Sequence, residues 1–109
     1  MSATEMQKTL SALGLCARAR KLITGTPMVC DALKHRKPPV FLVLSANDNA
    51  KNTAKRLSDR CRFYEVPLVT PEIDGATLAR AIGKSGHVAA VAITDEHLCR
   101  LIENTLKTI

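Results

Sequence analysis

The chain has 109 residues, 46% of them apolar, with two Phe, one Tyr and no Trp, and a formal charge of +6 from sixteen Lys plus Arg against ten acids. That length supports one domain over residues 1–109, with an aliphatic, alanine-rich core and no need of staples. No apolar run approaches the roughly 20 residues of a membrane span and the start lacks a charged-then-apolar leader, so the expectation is a soluble, cytoplasmic protein without a membrane partner.

Thr4-x-x-Gln7 offers a capping box, and Met6, Leu10, Leu13 and Ala17 then recur at helical spacing. Gly14 lies inside this first helix at a local cost of ~1 kcal/mol relative to alanine, which close approach to a neighbouring element would justify. Arg18-Ala-Arg-Lys21 places cations at the helix C-terminus, where the dipole favours them. Leu22-Ile23-Thr24 reads as a short strand. Thr26-Pro27 reads as an N-cap with proline at the first helical position, and Val29, Ala32 and Leu33 give this second helix its buried face. Lys34-His-Arg-Lys37 forms its basic end, closed by Pro38-Pro39; termination of the helix is its first reading and phosphate contact its second.

Val40 to Leu44 is wholly apolar, as expected for a strand covered on both faces. Ser45-Ala-Asn-Asp-Asn49 is rich in capping residues, and Ala50, Ala54, Leu57 and Cys61 form a narrow stripe with Lys51, Lys55, Arg56 and Arg60 outward. Pro67 places Val66–Val69 at a sheet edge. Asp74 caps a fourth helix running to Ile82, with Leu78, Ala81 and Ile82 on one face and Gly83 at the left-handed C-terminal position. Lys84 to His87 form an exposed loop, and Val88 to Ile93 is a second apolar strand. Asp95 starts a last helix with Leu98, Leu101, Ile102, Leu106 and Ile109 on one face. Strands alternating with helices imply crossovers and an α/β fold: a three-layer α/β/α sandwich around a mixed, largely parallel four-stranded sheet.

The positive excess favours a polyanionic partner, because each neutralised phosphate releases condensed counterions. Few other motifs carry chemistry. Gly83-Lys84-Ser85 resembles the tail of a phosphate-binding P-loop, but the glycine required five residues earlier is Leu78, and the segment runs helix to strand rather than strand to helix. Ser85 and His87 have neither a nucleophile elbow nor an orienting acid. Cys16, Cys30, Cys61 and Cys99 are scattered and fall on apolar stripes, so they read as small buried hydrophobes. They lack paired zinc-ligand spacing, and the three histidines are far apart. The residues thus imply no enzyme, no cofactor and no metal.

The residues Leu13-Gly-Leu-Cys-Ala-Arg-Ala-Arg-Lys21, Gly25, Asn52-Thr-Ala-Lys55, Asp59-Arg-Cys61, Tyr64-Glu-Val-Pro67, Leu78, Ala81-Ile-Gly-Lys84 and Val91-Ala-Ile-Thr-Asp95 are specific together. On them the sequence resembles the kink-turn RNA-binding ribosomal-protein family, which includes archaeal and eukaryotic large-subunit ribosomal proteins seven and thirty. It is most similar to the bacterial YlxQ-type ribosomal-protein-like branch. The resemblance implies an α/β/α sandwich that binds bent RNA at an edge made by two segments, Thr24-Gly-Thr-Pro-Met28 and Lys84-Ser-Gly-His-Val88. It therefore marks Thr24, Gly25, Thr26, Lys84, Ser85, Gly86, His87 and Val88 as site residues. Arg18, Arg20, Lys21, Lys51 and Lys55 join them as phosphate contacts. The expected partner is structured RNA, ribosomal or non-coding, with the ribosome itself as a candidate.

The sequence departs from that family at one place. Where kink-turn readers carry Asn-Glu, and later Lys, to contact sheared G·A pairs, this chain has Pro27-Met28 and Asp31. Those departures motivate an alternative, a protein-interaction module that keeps the fold without kink-turn reading. A third reading, an enzyme acting on a small phosphorylated ligand, rests only on the Gly83-Lys84-Ser85 fragment.

Overall fold

The computed structural model describes residues 2–106. Helix α1 (Ala3–Arg18) begins at Ser2, two residues before the expected box: the Glu5 amide donates to Ser2 Oγ at 3.2 Å and the Ser2 amide to Glu5 Oε1 at 3.3 Å. Ser-x-x-Glu and Thr-x-x-Gln both fit the capping rule, and the earlier one adds half a turn. Gly14 is buried, and a Cβ built on it would lie 3.0 Å from the Ala81 carbonyl oxygen, so the missing side chain lets α1 close on a later helix.

Strand β1 (Leu22–Thr24) leads into α2 (Thr26–His35), and β2 (Leu42–Ser45) into α3 (Lys51–Phe63). Strand β3 (Leu68–Val69) leads into α4 (Gly75–Ala81), and β4 (Ala90–Ile93) into α5 (Glu96–Leu106). Three cap assignments shift. The α2 N-cap is Gly25 at φ +95°, so Thr26 is already helical. Nor do the polar residues of the 45–49 loop cap α3, whose N-cap Ala50 offers no side-chain bond. Ala50 and Ala54 are exposed, and only Leu57 and Cys61 of the expected α3 stripe are buried. Asp74 and Asp95 do cap, accepting from the Thr77 amide at 2.8 Å and the Leu98 amide at 3.0 Å.

The strand order is β1-β4-β2-β3. β4 pairs antiparallel with both β1 and β2, while β2 and β3 are parallel. The expectation of a mixed sheet holds, and β1, β2 and β3 share one direction. The balance of pairings differs from a largely parallel sheet: two of the three hydrogen-bonded pairs are antiparallel because β4 is inserted against the others.

Alternation along the strands separates two cores. Leu42, Leu44, Val91 and Ile93 face α1, α4 and α5, joining Leu13, Cys16, Leu78 and Ile102. Val43, Ala90 and Ala92 face α2 and α3, joining Val29, Leu33, Leu57 and Cys61. These are the three layers anticipated from the sequence. All four cysteines are buried and unbridged. On the α5 face Leu98, Ile102 and Leu106 pack inward, Leu101 stays exposed, and Ile109 lies outside the described residues. Among the described residues no helix is long and apolar enough to cross a membrane.

Candidate nucleic-acid interface

Because β4 runs against its neighbours, its first two residues lie beside the last residues of β1 and β2: Thr24 pairs with Val91, and Ser45 with Ala90. The turn entering α2, the turn entering α3 and the loop before β4 therefore meet at one end of the sheet. β3 is parallel to β2, so the start of α4 joins them. Open α/β sheets bind ligands outside the carboxyl ends of their strands, and this is that end.

The 83–89 loop is held at every side. Helix α4 closes with the Lys84 amide donating to the Ala79 carbonyl at 2.8 Å and the Gly83 amide to the Arg80 carbonyl at 3.2 Å, a Schellman pair that requires Gly83 at φ +77°. The Val88 amide donates to the Gly75 carbonyl at 3.0 Å, and Val88 is buried in the core. On one flank the Gly25 amide donates to the Ala90 carbonyl at 2.9 Å. On the other, Asn49 Nδ2 donates to the Ala89 carbonyl and to Ser45 Oγ, each at 2.9 Å. His87 Nε2 lies 3.2 Å from Asp48 Oδ1, an oxygen that also accepts from the Gly75 amide at 2.9 Å.

The electrostatics of the three helix starts differ. At α4, the Gly75 amide holds the Asp48 carboxyl below its usual range, with the His87 bond a smaller cause, and the Thr77 amide does the same for Asp74. That helix end is already occupied by acids. Helices α2 and α3 carry no acid in the first turn and no side-chain cap. They leave backbone donors and the positive ends of their dipoles facing outward.

The thirteen residues marked from the sequence distribute as follows. Thr24, Arg20 and Lys84 share a shallow groove along the free edge of β1, with Gly83 as part of its wall. Gly25 and Thr26 form the start of α2, where the Thr26 hydroxyl is buried without a hydrogen-bond partner. Ser85, Gly86 (φ +79°) and His87 are exposed at the loop tip, whereas Val88 is its buried anchor. Lys51 opens α3 at the same end; Lys55, one turn on, is 2.9 Å from Asp59 Oδ2. The structure separates two from this group. Arg18 lies in the groove between α1 and α4 with Gly14, Thr77 and Arg80. Lys21 bonds through its backbone to Cys16 and Thr94 and faces Asp95, at the opposite end of β1. Sequence reasoning missed Asp48 and Asn49 as braces of the loop; their Asx-rich setting was a signal, but it reads equally as helix capping.

The model of the Ribosomal protein L7Ae/L30e/S12e/Gadd45 family matches residues 7–102. The chain belongs to this family. Relatives named RNA-binding protein YlxQ support the same assignment. That of Bacillus subtilis (strain 168) is 40% identical over 84 residues, 77% of this chain and 80% of that protein. That of Enterococcus faecium is 33% identical over 91 residues, 84% of this chain and 85% of that protein. Among solved structures, a Bacillus halodurans protein of unknown function superposes with a TM-score of 0.81 at 34% identity, covering 91% of this chain and 96% of the other. The Giardia lamblia 15.5kD RNA binding protein shares the fold, with a TM-score of 0.77 at 17% identity over 97% and 88% of the two chains. Pro27 lacks an amide donor, Met28 is 59% exposed, and Asp31 pairs with His35 at 3.3 Å.

Proposed function

We propose that this protein binds structured RNA, kinked or bulged, at the end of the sheet where the α2 start and the 84–88 loop meet. The observation that carries the reading is the antiparallel insertion of β4, which brings those two segments side by side. Family membership and the RNA-binding relatives support it. Arg20, Lys84 and Lys51 supply phosphate contacts, the uncapped starts of α2 and α3 supply backbone donors, and the small loop around Gly86 has room to cover a splayed base. Arg18, Lys21 and Lys55 are peripheral phosphate contacts, reached only by RNA extending beyond this end.

Recognition proceeds by backbone and shape. Pro27, Met28 and Asp31 replace three polar readers, each typically worth ~1–3 kcal/mol when it reads a base well. Titration of a bulged hairpin and of a fully paired duplex at two salt concentrations tests the proposal. The hairpin should bind more tightly, with a steep salt dependence, and Lys84→Gln should lower the salt slope by about 1. Exchanging tandem G·A pairs for Watson–Crick pairs while keeping the bulge should change affinity little. Equal affinity for hairpin and duplex, or binding indifferent to salt, would overturn it; a protein partner retained at high salt after nuclease treatment would favour the interaction-module reading instead.

A further inference from the structure

The strongest unassigned feature lies at the opposite end of the molecule. Helices α2 and α3 start together and run side by side, so their C-termini also end together. There Arg36, the α2 C-cap, places its guanidinium 5.6 Å from the centre of the Tyr64 ring, and Tyr64 meets Phe63 edge-on with ring centres 4.9 Å apart. Phe63 is nevertheless 76% exposed, the most exposed large apolar side chain among the described residues. Lys34, Arg60 and Arg62 are exposed in the last turns of these two helices, and Lys37 is exposed just beyond α2. The acids nearby are Asp31, 3.3 Å from His35, Asp59, held by Lys55 at 2.9 Å and within the field of Arg62, and Glu65, against five cations when Arg36 is included.

Helix C-terminal dipoles account for the cations, but not for a phenyl ring left in water against a neighbouring ring that a guanidinium covers. We propose that this surface is a second RNA contact, which takes an unpaired strand by stacking one base on Phe63 and seating its phosphates on Lys34, Lys37, Arg60 and Arg62. Basic grooves with an open aromatic face bind single strands without sequence preference, because every base presents a π-face. Arg36 holds the Tyr64 ring, and Tyr64 in turn backs Phe63 edge-on, so little order is lost when a base stacks on Phe63. This surface shares no residue with the 84–88 edge.

The test uses the absence of Trp from the chain. Phe63→Trp places one fluorophore at the step, and titration with an eight-nucleotide oligoadenylate should quench it. In the otherwise unaltered protein, Phe63→Ala should weaken oligoadenylate binding about tenfold. Arg60→Gln with Arg62→Gln should lower the salt slope by about 0.7 for each contact removed. Lys84→Gln should leave all three results unchanged, which separates this proposal from the reading of the other edge. Phe63 is exposed, so these variants should melt as the parent does. An unquenched tryptophan, or undiminished binding by Phe63→Ala, overturns the proposal. So does quenching by an acidic peptide where oligoadenylate has no effect, which would assign the surface to a protein.

Discussion

Gly75 and His87 show how little of a site can depend on a single residue's identity read in isolation. A Cβ built on Gly75 would fall on the His87 imidazole, so the ring sits where only glycine leaves room. The ring in turn meets Asp48, which is tied to the Gly75 amide. Three loops, separated by 27 and 39 positions along the chain, thus converge on one carboxylate oxygen. None of this is legible in the sequence, because the loops meet only through the order of the strands. Gly14 makes a useful contrast. Its cost within a helix is evident from the sequence and implies a close neighbour, yet the neighbour, Ala81, is identified only by the fold. Gly75→Ala should leave the thermal midpoint close to that of the parent, since position 75 is helical and the obstructing group is a half-exposed side chain able to swing away. It should, however, detach His87 from Asp48 and weaken binding of the bulged hairpin severalfold. Imidazole chemical shifts and hairpin titration check both halves; an unaltered His87 environment would show that the contact does not hold the loop.

Secondary-structure elements were legible in kind and misplaced mainly at their ends. Every helix and strand expected from periodicity is present, because aliphatic stripes at 3.6 and continuous apolar runs have few other solutions. The starts of α1, α2 and α3 moved because Ser, Thr and Asn satisfy several capping registers equally, and packing chooses among them. Where a carboxylate does cap, it leaves a titration signature. Backbone amides at helix starts hold Asp48, Asp74 and Asp95 below the ordinary value of 3.8, and the Lys55 ammonium does the same for Asp59. The folded state therefore binds these protons more weakly than the unfolded chain. Their contribution to stability is present above the ordinary value and is lost as pH falls through the lowered ones. Thermal midpoints should drop as the pH is taken below about 4. Asp74→Asn keeps an oxygen at the α4 N-cap but removes its proton equilibrium, so its midpoint should fall less steeply with acid. Parallel curves for parent and variant would exclude Asp74 as a contributor.

At the scale of the whole molecule, alternation of strands and helices fixes the layers but not the sheet's polarity. A strict crossover at every step would have made β4 parallel; the shared direction of β1, β2 and β3 puts the starts of α2, α3 and α4 at one end and the C-termini of α2 and α3 at the other, and the reversal of β4 adds the 83–89 loop to the first. Two basic surfaces therefore lie at opposite ends of a body of 34 × 29 × 29 Å. Among the described residues those at the two ends share no partner, so the effects of substituting Lys84 and Arg60 on affinity should add within about 0.5 kcal/mol. RNA length then becomes the deciding variable. On the two proposed contacts, a short bulged hairpin should engage the 84–88 edge alone, whereas the same hairpin with an unpaired tail should also engage Phe63. The tailed RNA should show a salt slope steeper by about 0.7 for each phosphate seated at the far end. That increment should vanish with Arg60→Gln and Arg62→Gln while the hairpin's own slope persists. Lys84→Gln should do the reverse, flattening the hairpin slope and sparing the increment. Identical slopes for tailed and untailed RNA would mean that one nucleic acid does not span the molecule, whatever each end binds alone.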